Sequence, residues 1–149
     1  MLKLDDYLPY RLSIASNEVS RLIARAYEDR FGLTIPQWRL ICVLAEDGPA
    51  TPQALVGRTV MDKVMVSRAA QALVARHLVR REPNLSDGRS HHLELTQAGR
   101  QLHAEVSPLA LSYEQSVIEG LSPAEVAGLK ALLLRIQDKA SRLAEDSFK

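Results

Sequence analysis

Apolar residues recur at three- and four-residue steps towards both ends of the chain and alternate briefly in its middle. Leu12, Ala15, Val19, Leu22, Ile23, Ala26 and Tyr27 form one such stripe, which predicts a first helix from about Tyr10 to Arg30, ended by Gly32. Thr34-Ile35-Pro36-Gln37 has capping-box spacing with proline in the first turn. A second helix is therefore expected over Pro36 to Glu46, apolar on most sides and broken by Asp47-Gly48-Pro49. Thr51-Pro52 opens a short third helix to about Thr59, and Asp62 caps a fourth that runs to His77. The period then shortens. Leu78-Val79-Arg80-Arg81 reads as a strand, Asp87-Gly88 as a tight turn, and Leu93 and Leu95 as one face of the returning strand. Thr96 caps a fifth helix that continues past Pro108 with a kink there. Ser122-Pro123-Ala124-Glu125, a second capping box, opens a last helix to about Glu145, striped by Val126, Leu129, Leu133, Ile136, Ala140 and Leu143.

The expected fold is mainly α with a small β-hairpin, in the order helix, turn, helix, wing: a winged helix-turn-helix. Lys63, Ser67, Arg68 and Gln71 fall on one face of the fourth helix, opposite Val66, Ala70, Leu73 and Val74. Such a face suits a major groove, because Arg pairs guanine edges and Gln adenine edges, while Lys and Ser serve base or phosphate. Arg58, Arg80 and Arg81 flank that helix as candidate phosphate clamps. Arg89, at or near the hairpin tip, is expected in the adjacent minor groove, its guanidinium held by Asp87. Each feature is commonplace alone, since polar helix faces and Asp-Gly turns abound on surfaces. Their combination in this order points to double-stranded DNA.

Charge sharpens the picture only locally. The net charge is +1, yet between Arg58 and Arg100 eight basic residues face four acidic ones, a modest footprint for phosphate. With 46% hydrophobic and 25% charged residues, 149 residues suffice for one domain with a real core. No apolar run is long enough to cross a bilayer, the N-terminus lacks a signal-peptide profile, and a single cysteine fits a reducing compartment, so a cytoplasmic protein without membrane attachment is expected. Hydrolase and metalloprotease motifs and glycine-rich phosphate loops are missing, and His91 and His92 would point to opposite faces of a strand, so neither an enzyme nor a cofactor or metal is expected. The rival reading is a winged helix that binds protein rather than DNA.

These residues resemble those of the multiple antibiotic resistance regulator (MarR) family over essentially the whole chain. Asp87-Gly88-Arg89, Leu93-Glu94-Leu95-Thr96 and Gly99 match its wing signature, Leu33-Thr34-Ile35-Pro36-Gln37-Trp38 its second-helix start, and Val66-Ser67-Arg68 with Leu73 and Leu78-Val79 its recognition helix and exit strand. His77 departs from the family's usual Gly, so a strained helix end is expected there. The resemblance implies a homodimer built from residues 1–33 and 104–149, a DNA-binding lobe over 34–103, and repression of a pseudo-palindromic operator relieved by a phenolic or aromatic acid. The exposed stripes of the first and last helices agree with a dimer. By resemblance the ligand pocket would involve Tyr10, Arg11, Ser13, Asn17, Trp38, Arg39, Cys42 and Met61, with Trp38 and Met61 sandwiching a ring and Arg11 or Arg39 pairing a carboxylate or phosphate. Leu8-Pro9-Tyr10-Arg11-Leu12-Ser13 is similar to the start of members that control catabolism of lignin-type aromatic acids, some answering to an aryl-coenzyme A thioester. Arg11, Arg21, Arg25 and Arg39 would then face its phosphates. Cys42, in an apolar run, reads as core packing with a raised thiol pKa.

Overall fold

The computed structural model describes residues 1–84 and 87–146, with side chains outside 84–90. Six α-helices and one antiparallel hairpin follow in the order α1 (Leu8–Ile23), α2 (Ile35–Asp47), α3 (Pro52–Thr59), α4 (Lys63–Ala75), β1 (Val79–Asn84), β2 (Asp87–Leu95), α5 (Gln97–Ile118) and α6 (Pro123–Asp146). The chain divides into two units, Met1–Tyr113 and Glu114–Lys149.

Local signals set most helix starts. Thr34 Oγ1 accepts from the Gln37 amide while Gln37 Oε1 accepts from the Thr34 amide, a full capping box on α2. Thr51 and Asp62 cap α3 and α4 by accepting from Ala54 N and Met65 N. Ser122 and Glu125 repeat the reciprocal box on α6. The first helix departs from expectation: its α-helical part stops at Ile23 and a 3₁₀ turn over Ala24–Ala26 replaces the remainder. The tighter winding still turns Ala24, Ala26 and Tyr27 into the core, so the apolar stripe persists after the α-helix has ended.

Around α2 the first unit builds its core. Trp38, Leu40, Ile41, Val43 and Leu44 of this helix are buried with Leu55 of α3, Val66, Ala69, Ala70 and Leu73 of α4, Leu93 and Leu95 of β2, and Leu102 and Val106 of α5. No polar or charged residue is buried among the described residues. Helix α4 ends at Ala75, two residues short of expectation, in a Schellman turn: the His77 amide donates to the Val74 carbonyl and the Leu78 amide to the Leu73 carbonyl. His77 takes the left-handed conformation there, at φ +58°.

The hairpin pairs Val79 with Leu95 and Arg81 with Leu93, which keeps both leucines on the core side. Asp87-Gly88 is not its turn. Asp87 pairs with Asn84, and Asp87 and Gly88 both belong to β2. Leu93 also exchanges both backbone hydrogen bonds with Ala50, at 2.7 and 3.0 Å, anchoring the wing to the loop between α2 and α3. Helix α5 runs through Pro108. Neither α1 nor α6 buries a residue.

Candidate functional site

Asp62 fixes the start of α4, and the rows of that helix then separate cleanly. Val66, Ala69, Ala70 and Leu73 are buried, whereas Lys63, Ser67, Arg68 and Gln71 are exposed on the other side. The same exposed side carries Val64 and Met65, 57% and 41% accessible, which the polar pattern did not single out. Their signal is helical spacing, since Val64 lies four residues before Arg68. Apolar side chains so placed can meet thymine methyl groups. Between α3, α4 and the wing lies a crevice of about 500 Å³, lined by Gln53, Lys63, Ser67 and Arg81 over a floor of Val56, Val66, Ala70 and Leu93.

The flanking arginines differ from one another. Arg58 Nη2 lies 3.5 Å from Glu46 Oε2 and its Nε 3.3 Å from Asp47 Oδ2, so α3 is tied to the end of α2. Arg80 pairs with Glu94, its cross-strand neighbour, and with Glu82 at 3.4 Å. Both expected phosphate clamps therefore already face carboxylates. Lys63, Arg68 and Arg81 form no ion pair among the described residues. Arg89 and Asp87 have their backbone in β2, and the expected contact between their side chains lies outside the described residues.

A second cleft, of about 430 Å³, opens between the end of α1, the turn after it, α2 and the end of α3. Trp38, Arg39 and Cys42 line it, together with Ser20, Tyr27, Glu46, Arg58 and Thr59, which the sequence pattern did not single out for a pocket. The signal was present: Trp38, Cys42 and Glu46 follow at steps of four on one face of α2. Tyr10, Arg11, Ser13 and Asn17 do not line this cleft. Helix α1 reaches it through Val19, Ser20 and Ile23, and Tyr10 lies about 14 Å up the helix from Val19 at 1.5 Å per residue. Met61 is buried in the turn between α3 and α4, outside the lining of this cleft. Trp38 stacks with Tyr27 and His103, each at 5.5 Å between ring centroids and 22° between planes.

Burial, with the charge of Glu46 behind it, pushes the Cys42 thiol up to about 12. Burial likewise raises the Tyr27 phenol, Glu28 adding to the effect. Both groups stay protonated at neutral pH, so the cleft offers neutral donors beside two guanidinium groups. Among the described residues no cluster of His, Cys, Asp and Glu could hold a metal ion, and no helix is long and apolar enough to cross a membrane.

This arrangement has known counterparts. The sequence profile of the MarR family matches residues 31–90, the stretch that includes α2, the helix-turn-helix, all of β1 and the start of β2. The chain is 26% identical over 143 residues to the HTH-type transcriptional repressor NicR of Pseudomonas putida, covering 89% of each. It is similar to the crystal structure of a probable transcriptional regulator from Pseudomonas aeruginosa, at 30% identity and TM-score 0.80 over 90% of this chain and 99% of the other. It also resembles Bordetella bronchiseptica BpsR, whose DNA binding is regulated by 6-hydroxynicotinic acid, at 28% identity and TM-score 0.79 over 87% and 98% of the two chains.

Proposed function

The chain belongs to the MarR family, and we propose that it is a homodimeric, ligand-responsive transcriptional repressor that grips a pseudo-palindromic operator and releases it when an aromatic acid occupies the cleft at Trp38. One observation carries the reading: the groove-sized exposed face of α4, bearing Lys63, Ser67, Arg68 and Gln71, stands beside a wing anchored to the same core. In this reading residues 34–103 bind DNA, and residues 1–33 and 104–149 supply the dimer. Exposed Leu8 and Val19 on one face of α1, and Leu129, Leu133 and Ile136 on one face of α6, support that assignment, since stripes of this kind need a partner. The protein works in the cytoplasm and has no catalytic role of its own.

A volume of about 430 Å³ suits a single aromatic acid, with Arg39 and Arg58 as counter-charges. The nucleotide part of an aryl-coenzyme A thioester would lie outside it. That favours the free acid as effector, and NicR and BpsR support the same class. The test is fluorescence anisotropy on the duplex upstream of the protein's own gene, against a scrambled duplex, with and without 6-hydroxynicotinate. The reading expects preference for the first duplex, steep salt dependence, release by an aromatic acid and loss of affinity in Arg89→Ala. Equal binding to both duplexes would defeat self-regulation, and absence of binding to any duplex would defeat the whole reading.

A further inference from the structure

Arg58 belongs to α3 of the helix-turn-helix, yet it is part of the lining of the cleft that holds Trp38. Two carboxylates of α2 hold it: Glu46, also in that lining, and Asp47, the last residue of the helix. The negative end of the α2 dipole acts in the same direction. The exit of α3 is otherwise held by its own hydrogen bonds. Thr59 Oγ1 donates to the Leu55 carbonyl at 2.6 Å and accepts from the Met61 amide, and Val60 takes a left-handed conformation.

We propose, on the reading given above that the cleft takes an aromatic acid, that Arg58 is the residue of the DNA-binding lobe that reads it. A carboxylate seated beside Trp38 and Arg39 takes the Arg58 guanidinium from Glu46 and Asp47, and the end of α3 comes loose from the end of α2. The exchange is feasible because the existing pairs are weak: Arg58, Glu46 and Asp47 have side chains 51%, 68% and 44% accessible. A carboxylate on the floor of the cleft meets the same fork with both oxygens and with less water around it. Since α3 leads into α4 through a turn of three residues, loosening α3 disturbs the seating of the recognition helix.

Trp38 is the only tryptophan in the chain, so its emission reports occupancy directly. Benzoate and 6-hydroxynicotinate are the probes, with neutral benzamide as control, titrated into wild type, Arg58→Gln, Arg58→Lys and the double variant Glu46→Gln/Asp47→Asn. Benzoate should bind Arg58→Gln at least tenfold more weakly and recover part of that loss in Arg58→Lys. It should bind the double variant several-fold more tightly, because its competitors are gone, and that gain should vanish when Arg58→Gln is added to the double variant, an effect that a merely structural role for Arg58 would not produce. Benzamide should not distinguish these proteins. Benzoate affinity equal in wild type and Arg58→Gln overturns the inference, as does a Trp38 emission that neither acid changes. Operator binding measured in parallel separates the two readings. Specific DNA binding with a silent Trp38 leaves the repressor and removes the Arg58 role, whereas Arg58-dependent benzoate binding without affinity for any duplex does the reverse.

Discussion

Thr96 Oγ1 donates a 2.7 Å hydrogen bond to the carbonyl of His77 while accepting one from the Gly99 amide at 3.1 Å. One hydroxyl thus caps α5 and fastens the end of α4, so the last turn of the recognition helix and the base of the wing share a single fixed point. The closeness is set by Gly99, where an added Cβ would lie 2.1 Å from the Leu78 carbonyl oxygen.

Thr96→Val keeps the shape and removes both bonds. Loss of a cap and of a hydrogen bond at a helix end should lower stability by about 1–2 kcal/mol, read as a lower urea midpoint at unchanged slope. A midpoint equal to wild type would mean that water takes over both partners.

Among the described residues two other than glycine hold positive φ, Val60 at the turn between α3 and α4 and His77 after α4, both at +58°. A left-handed L-residue costs about 1–2 kcal/mol, partly offset by the greater freedom glycine loses on folding. Val60→Gly should therefore stabilise the protein by about 0.5–1 kcal/mol, and His77→Gly by somewhat less, because histidine tolerates this region better than a β-branched residue. Val60 is 76% exposed, so little packing is lost with its side chain. Urea melts of the two variants check the order as well as the sign.

The Cys42 thiol should be nearly inert to iodoacetamide in the folded protein at pH 8 and react readily once urea unfolds the chain. Burial pushes it up to about 12 from an unperturbed 9.0, so the fold favours the protonated form. The stability this brings is fully present below pH 9 and is lost as pH rises from about 9 through about 12. Cys42→Ser should flatten that part of the stability-against-pH curve. Rapid alkylation of the native thiol at pH 8 would contradict the assignment.

Arg68 and Arg80 should differ sharply in their effect on operator binding. Arg68, exposed on α4 and without an ion pair among the described residues, is free to meet a base edge on the proposed reading, and Arg68→Ala should lose about 1–3 kcal/mol of operator affinity and relax sequence preference. Arg80 is held by Glu94 and Glu82, and Arg80→Ala should change affinity by less than about 0.5 kcal/mol. Anisotropy on operator and scrambled duplexes checks both.

What sequence could tell depended on how local each signal was. Thr34 with Gln37, Thr51 with Pro52, Asp62, and Ser122 with Glu125 announce helix starts within four residues, and all four stand where expected. The end of α1 was hidden because a 3₁₀ turn continues the same apolar stripe into Tyr27. Asp87-Gly88 is good turn chemistry, but Leu93 and Leu95 fix the register from the core side, which puts Asp87 opposite Asn84 within the ladder. The exposed face of α4 was legible from its period. The cleft was only half so: Trp38, Arg39 and Cys42 share a helix, whereas Arg58 reaches them from another element and its carboxylate partners become neighbours only in the folded chain.

The two-bond bridge between Ala50 and Leu93 makes the wing a lever with a fixed pivot. From Leu93 to Asp87 the strand extends by at most roughly 20 Å at 3.3 Å per residue. A rocking of about 6° at the pivot would carry the outer end sideways by about 2 Å, beyond the tolerance of a hydrogen bond. Small rearrangements around α2 are thereby magnified at the far end of the hairpin, and the register between wing and duplex becomes a sensitive gauge of what happens in the core.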